Sequence, residues 1–178
     1  MKAQNLPVLV YGTLRNGGGN YNWALDGYTT DEKTVLISGL RMYAGPKAGF
    51  PYVTRGEADD AIVAELMYVA DDLYVDVIKS LDNLEGYEDP DSDDNLYNRE
   101  IVEFELDGEI VQAYIYLAGR TAREFFFTEE DVIASGDWKE FEATRPFHRP
   151  TITFLLDDEP EDEERAQRLE DAVAAFSK

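Results

Sequence analysis

The chain has no cysteine, a single histidine, and 16 Lys and Arg against 38 Asp and Glu. Without cysteine there are no disulfides, no thiolate metal sites and no cysteine nucleophile. The shortage of basic residues leaves a net charge of −22. A field of that sign repels polyanions and argues against binding nucleic acid or an anionic membrane surface. Long apolar runs are missing as well: none approaches the roughly 20 residues that span a bilayer, and the opening MKAQNLPVLVYG has too few apolar residues in a row for a secretory signal. The expectation is a cytoplasmic protein that binds a small molecule, with no metal and no cofactor.

At 178 residues the chain suits one core domain. LPVLV at 6–10 reads as a buried strand stopped by Gly12, and three further β-branched or aromatic runs follow at 33–45, 50–55 and 61–69. The period then changes. From Asp71 the apolar positions Leu73, Val77, Leu81 and Leu84 predict a helix over 71–84, with Asp71 and Asp72 as candidate caps and Gly86 as its stop. REIVEFELDGEIVQAYIYLAG predicts a hairpin turning at Asp107-Gly108, which sets Leu106 opposite Glu109 and Arg99 opposite Tyr116. Val102, Phe104, Val111, Ala113 and Ile115 then share the other face. TEEDVIAS resembles a short capped helix ended by Gly136, and the EFFF cluster at 124–127 is expected to pack on the core. Beyond Pro150 the tail is strongly acidic with helical spacing at Leu169, Val173 and Phe176. Strands outnumber helices between them, so a doubly wound parallel sheet is excluded. The expected class is α+β: a small mixed β-barrel with flanking helices over residues 1–149, plus an acidic, helical C-terminal extension over 150–178.

Four glycines crowd the segment VLVYGTLRNGGGNYN. It lacks both the Walker spacing and the dinucleotide fingerprint, so phosphate cradling is the weaker reading. Two readings stay open: a tight bend followed by a surface turn, or a place where Gly12 lets a ligand approach and the amides near Thr13 and Leu14 donate to a carboxylate or carbonyl oxygen. Glu85, in LDNLEGYED, falls at a helix C-terminus among Asp82, Glu88 and Asp89. The helix dipole and these carboxylates are expected to raise its pKa and suit it to general acid/base work, against the alternative of a solvated surface acid. His148, between prolines, is expected to be peripheral. The acidic runs at 88–94 and 157–164 lack calcium-loop spacing.

VYGTLR on a first strand, LDNLEGY closing a helix, LYNREIVEF opening a hairpin, the returning YIY and a later SGDW together resemble the gamma-glutamylcyclotransferase-like family, which includes gamma-glutamylamine cyclotransferases. The resemblance runs from about residue 7 to about residue 140 and leaves out the acidic tail. It implies a cavity for a gamma-glutamyl group, with Glu85 as catalytic acid/base and Tyr11, Gly12, Thr13, Leu14, Tyr97 and Tyr116 as substrate-binding residues. The family's usual Ser is Thr13 here, which keeps the hydroxyl. The implied reaction is attack of the substrate's own α-amine on its γ-carbonyl, releasing 5-oxoproline and a free amine. Other possibilities are an amidase-like reaction with water, or a protein of this fold that binds a ligand or partner without turnover.

Overall fold

The computed structural model describes residues 5–45, 49–90 and 92–145. In chain order the elements are β1 (Val8–Val10), α1 (Tyr21–Ala24), β2 (Thr29–Ser38), β3 (Leu40–Ala44), β4 (Pro51–Arg55), β5 (Ala61–Val69), α2 (Tyr74–Leu84), β6 (Tyr97–Leu106), β7 (Glu109–Ala118), α3 (Arg120–Phe125) and α4 (Trp138–Ala143). His148, the acidic run at 157–164 and the expected extension over 150–178 lie outside the described residues.

The class is α+β. Five strands form one sheet in the order β2-β5-β1-β7-β6, and β3 pairs with β4 in a separate ribbon. The sheet is not a closed barrel among the described residues: β2 and β6 are its edges, and the β3–β4 ribbon packs against β5 and β7. β1 is its shortest strand and its centre, antiparallel to β5 and parallel to β7. That position explains its unbroken apolar sequence, since both faces are covered. Val8 and Val10 enter one core cluster with α2, Leu96, Tyr97 and Tyr116; Leu9 enters the other with Val35, Met42, Ile62 and Trp138.

The run at 33–45 is two strands rather than one. Gly39 takes φ 77°, a left-handed conformation that side chains disfavour, and turns the chain out of the large sheet into the ribbon. The hairpin follows its turn chemistry: Asp107 and Gly108 both have positive φ, Leu106 pairs with Glu109, and Arg99 pairs with Tyr116. The helix begins at Tyr74 instead of Asp71. Asp71 and Asp72 do not cap it, because residues 71–73 form a turn and Leu73 occupies the cap position without a side-chain bond. Its end is as the glycine implied. Gly86 has φ 61°, Tyr87 N–H donates to Asp82 O at 2.9 Å and Gly86 N–H to Asn83 O at 3.4 Å, the two bonds of a Schellman motif. TEEDVIAS forms only a 3-10 turn at Glu129–Asp131, closed by a capping box between Thr128 and Asp131. Phe126 is buried, and Phe127 stacks on Tyr43 and Tyr52.

Candidate active site

Where β1 ends, the chain turns over a cavity of about 250 Å³ lined by Tyr11, Gly12, Thr13, Leu14, Asn20, Phe50, Pro51, Glu85, Tyr97 and Tyr116, among others. All seven residues expected to form the site therefore meet at one place. Each arrives by a different device. The Schellman turn sets Glu85 at the C-cap just past α2, and hairpin register brings Tyr97 and Tyr116 to the same end of β6 and β7.

The loop after β1 is held from behind. Arg15 N–H bonds back to Gly12 O, Asn20 N–H to Thr13 O, and Asn16 N–H to the Glu65 carboxylate at 2.6 Å. Glu65 also accepts from Arg15 Nε at 3.0 Å and Lys139 Nζ at 2.8 Å, while Arg15 Nη1 reaches Asp137 at 2.7 Å. The SGDW segment thus braces the loop through Asp137. A Cβ on Gly12 would sit 2.8 Å from the Pro51 ring, so this glycine admits β4 as well as bending the chain. Among the described residues, neither the Thr13 nor the Leu14 amide has an acceptor. Both residues line the cavity, which leaves two N–H groups for a ligand.

The opposite wall carries oxygen. Glu85 is half-buried, and among the described residues nothing donates to its carboxyl group. Its pKa is pushed up to about 8, in the expected direction, and burial rather than the neighbouring acids is the cause. Asp82 is neutralised by Arg99, whose Nη1 lies 2.7 and 3.0 Å from its two oxygens, and Glu88 and Asp89 are exposed. Three tyrosine hydroxyls surround this wall, each donating to the protein. Tyr11 donates to Tyr116 O, Tyr97 to Pro51 O at 3.0 Å, and Tyr116 to Asp82 Oδ1 at 2.7 Å. Burial raises the pKa of all three, and the Glu85 charge adds to the rise. They remain neutral phenols at any working pH.

Tyr52, Asn20, Pro51 and Phe50 were not singled out in the sequence. Tyr52 is fully buried, stacks on Tyr97 at 5.2 Å and feels the Glu85 charge. Nothing in FPYVTR distinguishes a strand tyrosine beneath a site from one in a core. Glu65 did leave a signal, a lone carboxylate inside the apolar run AIVAELMYV.

A family model described as gamma-glutamyl cyclotransferase, AIG2-like, matches residues 8–140. Among solved structures, the chain is similar to YkqA from Bacillus subtilis at 27% identity, with a TM-score of 0.53, over 78% of this chain and 41% of that one. It thus spans less than half of YkqA. It is also similar to c4763, a uropathogenic Escherichia coli-specific protein, at 18% identity and a TM-score of 0.50, over 82% and 100% of the two chains. A yeast gamma-glutamyl cyclotransferase specific to glutathione aligns at 13% identity and a TM-score of 0.48, over 96% of each. No curated protein matches the chain.

Proposed function

From a chain that belongs to the gamma-glutamyl cyclotransferase, AIG2-like family, we propose a cyclotransferase that converts a gamma-glutamyl amine or peptide into 5-oxoproline and a free amine, with Glu85 as the proton carrier. The observation that carries this reading is a half-buried carboxyl group, its pKa pushed up to about 8, that lines one cavity of about 250 Å³ with Thr13 and Leu14; among the described residues neither that carboxyl group nor the two backbone amides has a hydrogen-bond partner.

The chemistry needs no protein nucleophile. The substrate holds its α-amine and γ-carbonyl in one molecule, and folding it in the cavity supplies the proximity. The Glu85 carboxylate takes a proton from the substrate's α-ammonium group, a transfer favoured by the burial that pushes the carboxyl pKa up to about 8. The freed nitrogen forms a bond to the carbon of the γ-carbonyl group, and the Thr13 and Leu14 amides receive the negative charge that develops on the carbonyl oxygen. As the tetrahedral centre collapses, the bond to the departing nitrogen breaks and Glu85 gives that nitrogen its proton; the freed carboxylate then takes the surplus proton from the ring nitrogen and passes it to the amine, which leaves as an ammonium. Water is neither consumed nor released.

The test is incubation with a panel of gamma-glutamyl amines and dipeptides, scored by mass spectrometry for 5-oxoproline and the released amine. Lactam formation by the wild-type protein and its loss in Glu85→Gln, which keeps the side-chain shape, is the expected result. Free glutamate in place of the lactam would indicate hydrolysis. Full turnover by Glu85→Gln would remove Glu85 from the mechanism, and binding without product would make the protein a ligand carrier on this fold.

A further inference from the structure

Asp82 lies one helical turn before Glu85, in the last turn of α2, where the helix dipole disfavours an anion. It has two partners there. Arg99 grips both carboxylate oxygens at 2.7 and 3.0 Å, and the Tyr116 hydroxyl donates to Oδ1 at 2.7 Å. Arg99 is itself fixed, its guanidinium 5.1 Å from the Tyr87 ring and 4.8 Å from the Tyr114 ring. The Asp82 and Arg99 side chains are 20% and 21% exposed, so solvent screens the pair only in part.

A phenol has one proton. With that proton given to Asp82, the Tyr116 oxygen has only lone pairs left to offer. We propose that Asp82 and Arg99 are positioning residues that keep the Tyr116 hydroxyl proton turned away from the cavity, so that Tyr116 meets a bound ligand as an acceptor for an N–H group. Tyr11 and Tyr97 donate to backbone carbonyls in the same way. With Glu85 as its carboxylate, the wall it makes with the three tyrosines then accepts throughout, whereas the loop wall donates through Thr13 and Leu14. A ligand with its nitrogen toward α2 and its oxyanion toward β1 fits this division, and the reversed pose meets acceptor against acceptor.

The kinetic consequence rests on the cyclotransferase reading; the hydrogen-bond geometry does not, and the two are measured separately. In protein labelled with ¹³C at tyrosine Cζ and holding no substrate, the Tyr116 resonance is expected to shift in Asp82→Asn and Arg99→Met while those of Tyr11 and Tyr97 stay in place. An unmoved Tyr116 resonance in both folded variants overturns the proposal. In turnover of a gamma-glutamyl amine, Asp82→Asn is expected to lower kcat/KM by about 10-fold or more. Asparagine can offer its Nδ2 protons to Tyr116 and send the hydroxyl proton into the cavity. Tyr116→Phe lowers kcat/KM as well, and Asp82→Asn combined with Tyr116→Phe is expected to be no worse than Tyr116→Phe alone, because Asp82 acts through Tyr116. Losses that multiply in the double variant overturn the proposal. If the unpaired Arg99 prevents Asp82→Asn from folding, the charge-balanced pair Asp82→Asn with Arg99→Met replaces it in both measurements, with the same expectations. A wild-type protein that forms no lactam from any gamma-glutamyl compound overturns the cyclotransferase reading, and the Tyr116 resonance then decides the geometry by itself.

Discussion

Arg15 Nε lies 3.0 Å from Glu65 Oε1, with both side chains almost sealed from water. The loop after β1 is therefore tied to β5 by charge, in a place where either group alone would be costly. Glu65 also takes the Asn16 amide and Lys139, so its carboxylate is matched by three donors.

Removal of one member leaves the others buried without their partner. Glu65→Ala is expected to destabilise the protein by about 3–5 kcal/mol, read as a lower urea midpoint at unchanged slope. Lys139→Met removes only the more exposed partner, whose side chain is 41% exposed, and is expected to cost about 1 kcal/mol or less. Equal midpoints for the two variants would contradict this account of what anchors the loop.

Gly12→Ala places a methyl group 2.8 Å from Cδ and Cγ of Pro51. The proline ring cannot swing aside, and its carbonyl accepts the Tyr97 hydroxyl, so a shift of β4 would reach the cavity. A loss of about 1–3 kcal/mol in stability is expected, together with a higher KM for any ligand of the cavity. Gly19→Ala, where no atom lies within 4 Å of the added carbon, is the control and is expected to stay within about 0.5 kcal/mol of wild type. Thermal melts and a substrate titration on the two variants check both statements.

The pH dependence follows from burial of Glu85. Its folded pKa of about 8 exceeds the ordinary 4.5, so between those values the folded state holds a proton that the unfolded state has released. From this group alone, stability falls as pH rises from about 4.5 to about 8, and the whole penalty is present above that. Glu85→Gln is expected to be more stable than wild type at pH 9 by about 2–4 kcal/mol, with allowance for water at the cavity mouth, and to match it near pH 4. Wild-type kcat/KM is expected to climb with pH through about 8 as the carboxylate forms. Denaturant midpoints across that range test the first statement, and a pH–rate profile tests the second.

What could be read in the sequence was whatever local chemistry decides. Asp107-Gly108 sets a hairpin register, and that register alone puts Arg99 against Tyr116. Gly86 sets a helix end, and that end alone puts Glu85 at a corner. Long-range packing decided the rest. Whether Asp82 repels Glu85 or is neutralised depends on Arg99, 17 residues away and on another element; the sequence gives the charges but not the pairing. The same holds for the split of 33–45 at Gly39, since a glycine inside an apolar run reads equally well as a bulge. Tyr52 backs the cavity-lining Tyr97 only because two sheets meet there, which no local pattern records.

Thr13 offers a test of the donor wall. Its Oγ1 accepts from Asn20 Nδ2 at 2.9 Å, and Asn20 Oδ1 accepts from the Trp23 indole N–H at 3.3 Å. The indole fixes which end of the Asn20 amide faces Thr13, and the amide in turn leaves the Thr13 hydroxyl proton free. Among the described residues that proton has no acceptor, so it stands with the Thr13 and Leu14 amides as a third donor. Thr13→Val keeps the shape, removes this donor and strands the Asn20 amide; kcat/KM for a gamma-glutamyl amine is expected to fall about 10-fold. Thr13→Ser keeps the hydroxyl and is expected to remain within about 2-fold of wild type. Because Trp23 is half exposed while Trp138 is buried, the Thr13→Val change is also expected to alter indole emission through Asn20, and Thr13→Ser is not. Equal activity in the two variants would mean that the backbone amides hold the ligand oxygen unaided.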